Sequence, residues 1–326
     1  MLVADQGIVE STKMSPKRTF EPSGRRRRMT TPESALSTND KHHAPNEMST
    51  KARTSYQGRA SVTGMAEWLQ KIGHTDADVE ASHIVHVAGT KGKGSTCAFT
   101  LSPLQAHGSS TGFSTTTGLY TSPHLTSIRE RIQIDRQPIS DNLFTTYFLD
   151  IWDRLFSQQD GMSEEDNILP RYLQFMALLA IHNFCQEGIQ AASFEAHHGG
   201  EYDSTNAFSA PVVTEITSIG LGHLVQLGLE IEDVAWHKAG IIKRGSLAFS
   251  APHTAVVESV LRSRASGKDV RHESVDISLP QNAKALRPQA QRINCPLAFT
   301  LCSAFLIGEQ FLSTKKGSVS KISKEV

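Results

Sequence analysis

Cysteine is scarce in this chain: four residues in 326, Cys97, Cys185, Cys295 and Cys302, with no C-x-x-C pair and no His/Cys cluster at zinc spacing. That excludes a disulfide framework and a structural zinc site, and fits free thiols in a reducing compartment. Long apolar runs are also missing. None approaches the ~18 residues a membrane helix needs, so no membrane span is expected. Net charge is absent too, with 33 Lys and Arg against 33 Asp and Glu, which removes any global reason to expect nucleic acid or a membrane surface as partner. No apolar signal core stands near the start. The basic run at Arg25–Arg28, amid Ser and Thr, points faintly to an organelle transit peptide, but Asp5, Glu10 and Glu21 argue against it. The expected location is cytoplasmic, with mitochondrial as the alternative.

What is present suffices for a core, since 38% of residues are hydrophobic. Residues 1–60 are polar, lack hydrophobic periodicity and read as a disordered tail. Order is expected from "GMAEWLQKIG", where Met65, Trp68, Leu69 and Ile72 share a helical face and Gly73 caps it. Strands are expected at "HIVHVAG", "RIQI", "IQAASF", "PVVTEITSI" and "SLAFSAP". Helices are expected at "LFTTYFLDIWDRLF", "RYLQFMALLAIHNFC" and "PLAFTLCSAFLIGEQFL". This alternation predicts an α/β fold with a mainly parallel sheet flanked by helices over 61–312, followed by a polar tail at 313–326. No internal repeat is visible.

The run "VAGTKGKGST" carries the most chemistry. It lies between an apolar strand and the plausible helix "STCAFTLSPL", where a phosphate-binding loop belongs. Glycines let backbone N–H groups crowd an anion, and a helix N-terminus favours negative charge. Lys93 would reach the β/γ-phosphates, and Ser95 or Thr96 would offer magnesium a hydroxyl. The spelling departs from G-x-x-x-x-G-K-[ST], because Gly94 separates Lys93 from Ser95 and Gly89 lies close to Gly92. Taken alone, a Gly-rich turn is the competing reading.

The loop "GTKGKGST" resembles that of the Mur ligase superfamily, and of folylpolyglutamate synthases in particular. Further matches follow in family order: "TGLYTSPHLTSIRERIQI", "QPIS", "PRYLQF", "GGEYDSTN", "ITSIG", "AWHKAGIIK" and "QRIN". The resemblance runs from residue 65 to about 306 and is to the eukaryotic, fungal-like form. It implies a P-loop NTPase-like domain and an ATP-dependent ligase that adds L-glutamate to tetrahydrofolate through an acyl phosphate. By the same resemblance, Gly89, Thr90, Lys91, Gly92, Lys93, Gly94, Ser95, Thr96 and Asn294 would bind ATP. Ser95, Ser122, Glu195 and His223 would hold Mg2+, with a monovalent cation such as K+ as a further candidate. Thr121, Ser122, Pro123, His124 and Leu125 would touch folate, and Lys238 would be the carbamylated lysine. A monomer is expected.

Three departures bear on that reading. His197 and His198 stand where the family places glycine and an aliphatic residue, which suggests a perturbed loop beside Glu195 rather than new metal ligands. Gly222 replaces an aspartate that would support His223. The resemblance also implies a C-terminal Rossmann-like domain after "QRIN", and no counterpart appears before Val326. The competing function is therefore an impaired remnant that at most binds nucleotide.

Overall fold

The computed structural model describes residues 60–156, 169–220, 227–277 and 289–322, with the side chains of the last helix given from 290 to 307. The expected disordered tail, and the positions of Gly222 and His223, lie outside the described residues.

Eight strands form one sheet: β1 (Ile84–Ala88), β2 (Thr117–Tyr120), β3 (Ile132–Ile134), β4 (Gln137–Pro138), β5 (Ala191–Glu195), β6 (Val213–Ile216), β7 (Leu247–Ser250) and β8 (His272–Ser274). Their order is β4-β3-β2-β5-β1-β6-β7-β8. From β2 to β8 every pairing is parallel, while β3 and β4 add an antiparallel edge. Such sheets bury both faces, which explains the near-continuous apolar runs in β1 and β5.

Helices cover both sides: α1 (Met65–Lys71), α2 (Asp76–Glu80), α3 (Lys93–Thr111), α4 (Asp141–Phe156), α5 (Tyr172–Gln186), α6 (Ile231–Lys238), α7 (Ala255–Ser266) and α8 (Gln289–Ile322). Strand periodicity sorts the layers, because alternate side chains point to opposite faces. Ile84, Tyr120, Ala192 and Phe194 pack with α1, α4 and α5 on one face. Val85, Val87, Leu119, Ala191 and Val213 pack with Leu101 and Leu104 of α3 and Leu301 and Phe305 of α8 on the other. Ala88, Ile216 and Ala248 meet α6 and α7 on the first face, farther along the sheet.

Two helices outrun their sequence signals. α3 continues past Pro103 to Thr111 and ends at Gly112, whose φ of 82° suits a glycine cap. α8 extends to Ile322, so the boundary expected at 312 falls inside it. Contrary to the sequence reading, Ala290–Ile307 of α8 is long and apolar enough, by length and composition, to cross a membrane. The reason is its core face: Leu297, Leu301 and Phe305 are fully buried, the last two against α3 and the sheet.

Candidate functional site

The site gathers at the C-terminal ends of the parallel strands, where open α/β sheets leave a crevice. β1 runs into Gly89–Gly92 and then into α3. Gly89 has φ 149°, and a Cβ there would lie 1.8 Å from Thr217 Oγ1. Gly92 has φ 92°, and a Cβ there would lie 2.5 Å from Asn294 Oδ1. Both positions require glycine. The loop is also tied to the end of β6. Thr90 N donates to Ser218 O at 2.8 Å and Thr90 Oγ1 to Gly220 O at 3.0 Å, while Ser218 Oγ donates to Lys91 O at 3.1 Å.

α3 begins at Lys93, so the first-turn amides of Lys93, Gly94 and Ser95 have no partner within the helix. Ser95 is exposed at this mouth, whereas Thr96 is fully buried and its hydroxyl finds no partner. Of the two hydroxyls considered from sequence, Ser95 faces the crevice. Lys93 Nζ lies 3.5 Å from Glu195 Oε1. The other carboxylate oxygen accepts Ser122 N at 3.1 Å. A Cβ on Gly94 would come within 3.0 Å of Glu195 Oε2 and 3.9 Å of the Thr121 methyl, so these segments share one small space. Burial raises the Glu195 carboxyl above its usual range, and Lys93 and the Ser122 amide hold the rise back.

Thr121–Leu125 follows β2 and contains a cis Ser122–Pro123 bond. Glu130 closes this turn by accepting Leu125 N at 2.8 Å and Ser127 N at 2.9 Å, leaving Leu125 94% exposed. Arg131 Nε donates to His124 Nδ1 at 3.0 Å, its guanidinium lies 5.5 Å from the Tyr172 ring centroid, and its Nη1 is buried without a partner. Sequence reasoning missed Arg131, and its only signal was a place inside a matched motif. A buried guanidinium with a free N–H beside this loop suits an anionic group.

Lys238 closes the floor. It is 1% exposed and its Nζ donates to Gly89 O at 2.8 Å. Burial, helped by the charge of Lys93, pushes its ammonium down to about 7. The last turn of α6 thus faces inward. Asn294 on α8 is buried beside Gly92, so the phosphate loop, Glu195, Ser122, Lys238 and Asn294 come together.

The two adjacent histidines separate as strand-end neighbours should. His198 is exposed, while His197 is buried with Tyr120 Oη at 2.7 Å from Nε2 and Ser204 Oγ and Asp203 Oδ1 at 3.1 and 3.2 Å from Nδ1. Burial alone would raise Asp203, but His197 and the Thr205 amide and hydroxyl together hold it far below the usual carboxylate range. Among the described residues, no three His, Cys, Asp or Glu side chains converge to hold a metal.

This glycine loop on a mostly parallel sheet defines a phosphate-loop α/β domain of the Mur ligase type. No family model matches the chain. Curated relatives do, and they place the chain in the folylpolyglutamate synthase family. The folylpolyglutamate synthase of Neurospora crassa is 42% identical over 249 residues, 76% of this chain and 47% of that protein. A probable folylpolyglutamate synthase of Schizosaccharomyces pombe is 43% identical over 222 residues, 68% of this chain and 43% of that protein. The chain thus spans about half the length of the curated relatives it matches. Among solved structures, a Mycobacterium tuberculosis folylpolyglutamate synthase complexed with ADP and AMPPCP matches with TM-score 0.63 and 26% identity, over 76% of this chain and 60% of that one. An FPGS–AMPPCP–folate complex matches in fold, with TM-score 0.68 and 22% identity, over 85% and 68% of the two chains.

Proposed function

We propose that this chain carries the nucleotide-binding part of an ATP-dependent ligase that adds L-glutamate to tetrahydrofolate. The observation that carries the reading is the convergence of Lys93, Glu195 and the Ser122 amide at the mouth of the glycine loop. The α3 amides and Lys93 neutralise phosphate charge, which acyl phosphate formation requires. Lys93 Nζ lies 3.5 Å from Glu195 Oε1, and a phosphate at the loop would compete with that carboxylate for it. Ser95, Ser122 and Glu195 fit a Mg2+ ion, with His223 as the further ligand the family implies. When bound, the ion would screen the charge of the phosphates and of an attacking carboxylate. Asn294 would meet the nucleoside, and Thr121–Leu125 with Arg131 would meet the folate.

Lys238 has a further proposed role. An amine held near 7 is substantially neutral at physiological pH, and the neutral form is the one that adds carbon dioxide to give a carbamate. Isotope-labelled bicarbonate should give a carbamate carbon resonance that Lys238→Met lacks.

The deciding assay supplies the purified chain with magnesium ATP, tetrahydrofolate and labelled glutamate. Incorporation above a Lys93→Ala control establishes the ligase. Nucleotide binding without incorporation would reduce the chain to a binding module.

A further inference from the structure

His197 is the residue in which this chain departs most visibly from the expected loop, and its surroundings give it a task. β2 and β5 are adjacent parallel strands, with Tyr120 paired to Phe194. At their ends stand two of the proposed metal-binding residues, Ser122 just after β2 and Glu195 closing β5. One direct link joins them, Ser122 N to Glu195 Oε2 at 3.1 Å. The second link is the imidazole of His197. Asp203 Oδ1 and Ser204 Oγ lie on its Nδ1 side, so that nitrogen carries the proton and Nε2 accepts the Tyr120 hydroxyl at 2.7 Å. Asp203 is itself fixed, accepting Thr205 N at 3.0 Å, Thr205 Oγ1 at 2.9 Å and His198 N at 3.0 Å. The backbone of the same turn is anchored as well, with Ala196 N donating to Val87 O at 2.9 Å and Glu201 N to His237 O at 2.7 Å.

Both ring nitrogens are therefore occupied, the ring is buried, and the Tyr120 ring meets it edge-on at 5.4 Å. His197 is not available as a metal ligand. We propose that His197 is a positioning residue for the metal site, a buried strut from Asp203 to Tyr120 that sets the spacing between Ser122 and Glu195. The inference rests on the ligase reading for the identity of that site. Groups that orient metal ligands commonly change metal affinity by about 10–100-fold when removed.

The test measures Mn2+ affinity of the 326-residue chain by electron paramagnetic resonance in the presence of a non-hydrolysable ATP analogue. A parallel titration measures analogue affinity in chelator without metal. His197→Leu should weaken Mn2+ binding about tenfold, with metal-free analogue affinity unchanged because the glycine loop does not touch the strut. His197→Gln, which can still accept from Tyr120 and donate to Asp203, should recover most of the loss. Tyr120→Phe, a milder change that keeps the core ring, should give an intermediate loss, and adding it to His197→Leu should cost nothing more. Unchanged Mn2+ affinity in His197→Leu and in Tyr120→Phe overturns the strut while leaving the ligase reading intact. Equal losses of metal-dependent and metal-free binding also overturn it, since they indicate only a weakened fold. A wild-type chain that binds the analogue but takes up no Mn2+ alongside it overturns both readings.

Discussion

Glu215 offers the sharpest physical test of the core. It is fully buried on β6, paired in register with Val87 of β1 and Phe249 of β7. Period two puts it on the same face as Val213, under α3 and α8, and neither carboxylate oxygen has a hydrogen-bond partner. Burial raises this carboxyl well above its usual value of 4.5. The Ala251 amide opposes the shift but is already donated to Ile216 O at 2.9 Å. The folded chain therefore keeps the proton, while the unfolded chain releases it above about 4.5. Stability contributed by this group is intact below that pH and falls as pH rises, by up to ~1.4 kcal/mol per pH unit until the folded carboxyl titrates. Glu215→Gln removes the titration, so its stability relative to the native chain should grow with pH. Glu215→Met removes the polar group as well and should add about 1–3 kcal/mol. Urea unfolding followed by circular dichroism at pH 5, 6, 7 and 8 reads both. A Gln-minus-native difference that stays flat across that range would refute the burial argument.

Other consequences follow from the same geometry. Lys93→Ala should weaken ATP binding by roughly 1.5–3 kcal/mol, the scale of a hydrogen bond to a charged group, as measured by calorimetry. Gly92→Ala should lose more stability than Gly112→Ala. Both have positive φ and incur about 1–2 kcal/mol of strain, but only the first drives a Cβ into Asn294, and melting temperatures compare them. His182, buried and hydrogen-bonded to His74 at 2.8 Å, is pushed down to about 4, so the fold favours its neutral form. Stability from this pair is present above about 6.5 and is lost as pH falls toward 4, and His182→Gln should flatten that acid limb in thermal melts.

Much of this architecture was legible in the residues. The apolar strand, glycine turn and following helix located the glycine loop between β1 and α3, and apolar runs located β1, β5, β6 and β7. Short or polar strands escaped: β2 was quoted only as part of a motif, and β4 (Gln137–Pro138) and β8 (His272–Ser274) lack an apolar signature because they sit at the sheet edges. α6 was hidden because "IEDVAWHK" shows no clear stripe, yet it buries Val234, Ala235 and Lys238. The His197 strut joins residues 77 positions apart, a relation no local pattern encodes. Arg131 and Glu215 were likewise invisible, since their meaning lies in missing partners. The burial of Lys238 is likewise a property of the fold that its spacing in the chain does not reveal.

The bonds from Thr90 and Lys91 to Ser218 and Gly220 change what the glycine loop is. Read as sequence, Gly89–Gly92 is among the floppiest stretches a chain can contain. Held against the end of β6, its path is set by hydrogen bonds within the fold itself. Fixing a residue's backbone costs about 1–2 kcal/mol, so four residues represent about 4–8 kcal/mol that is met during folding and not at binding. On the proposed nucleotide reading, Thr217, Ser218 and Gly220 would act on affinity through entropy, and loosening them should weaken binding even with every loop residue unchanged.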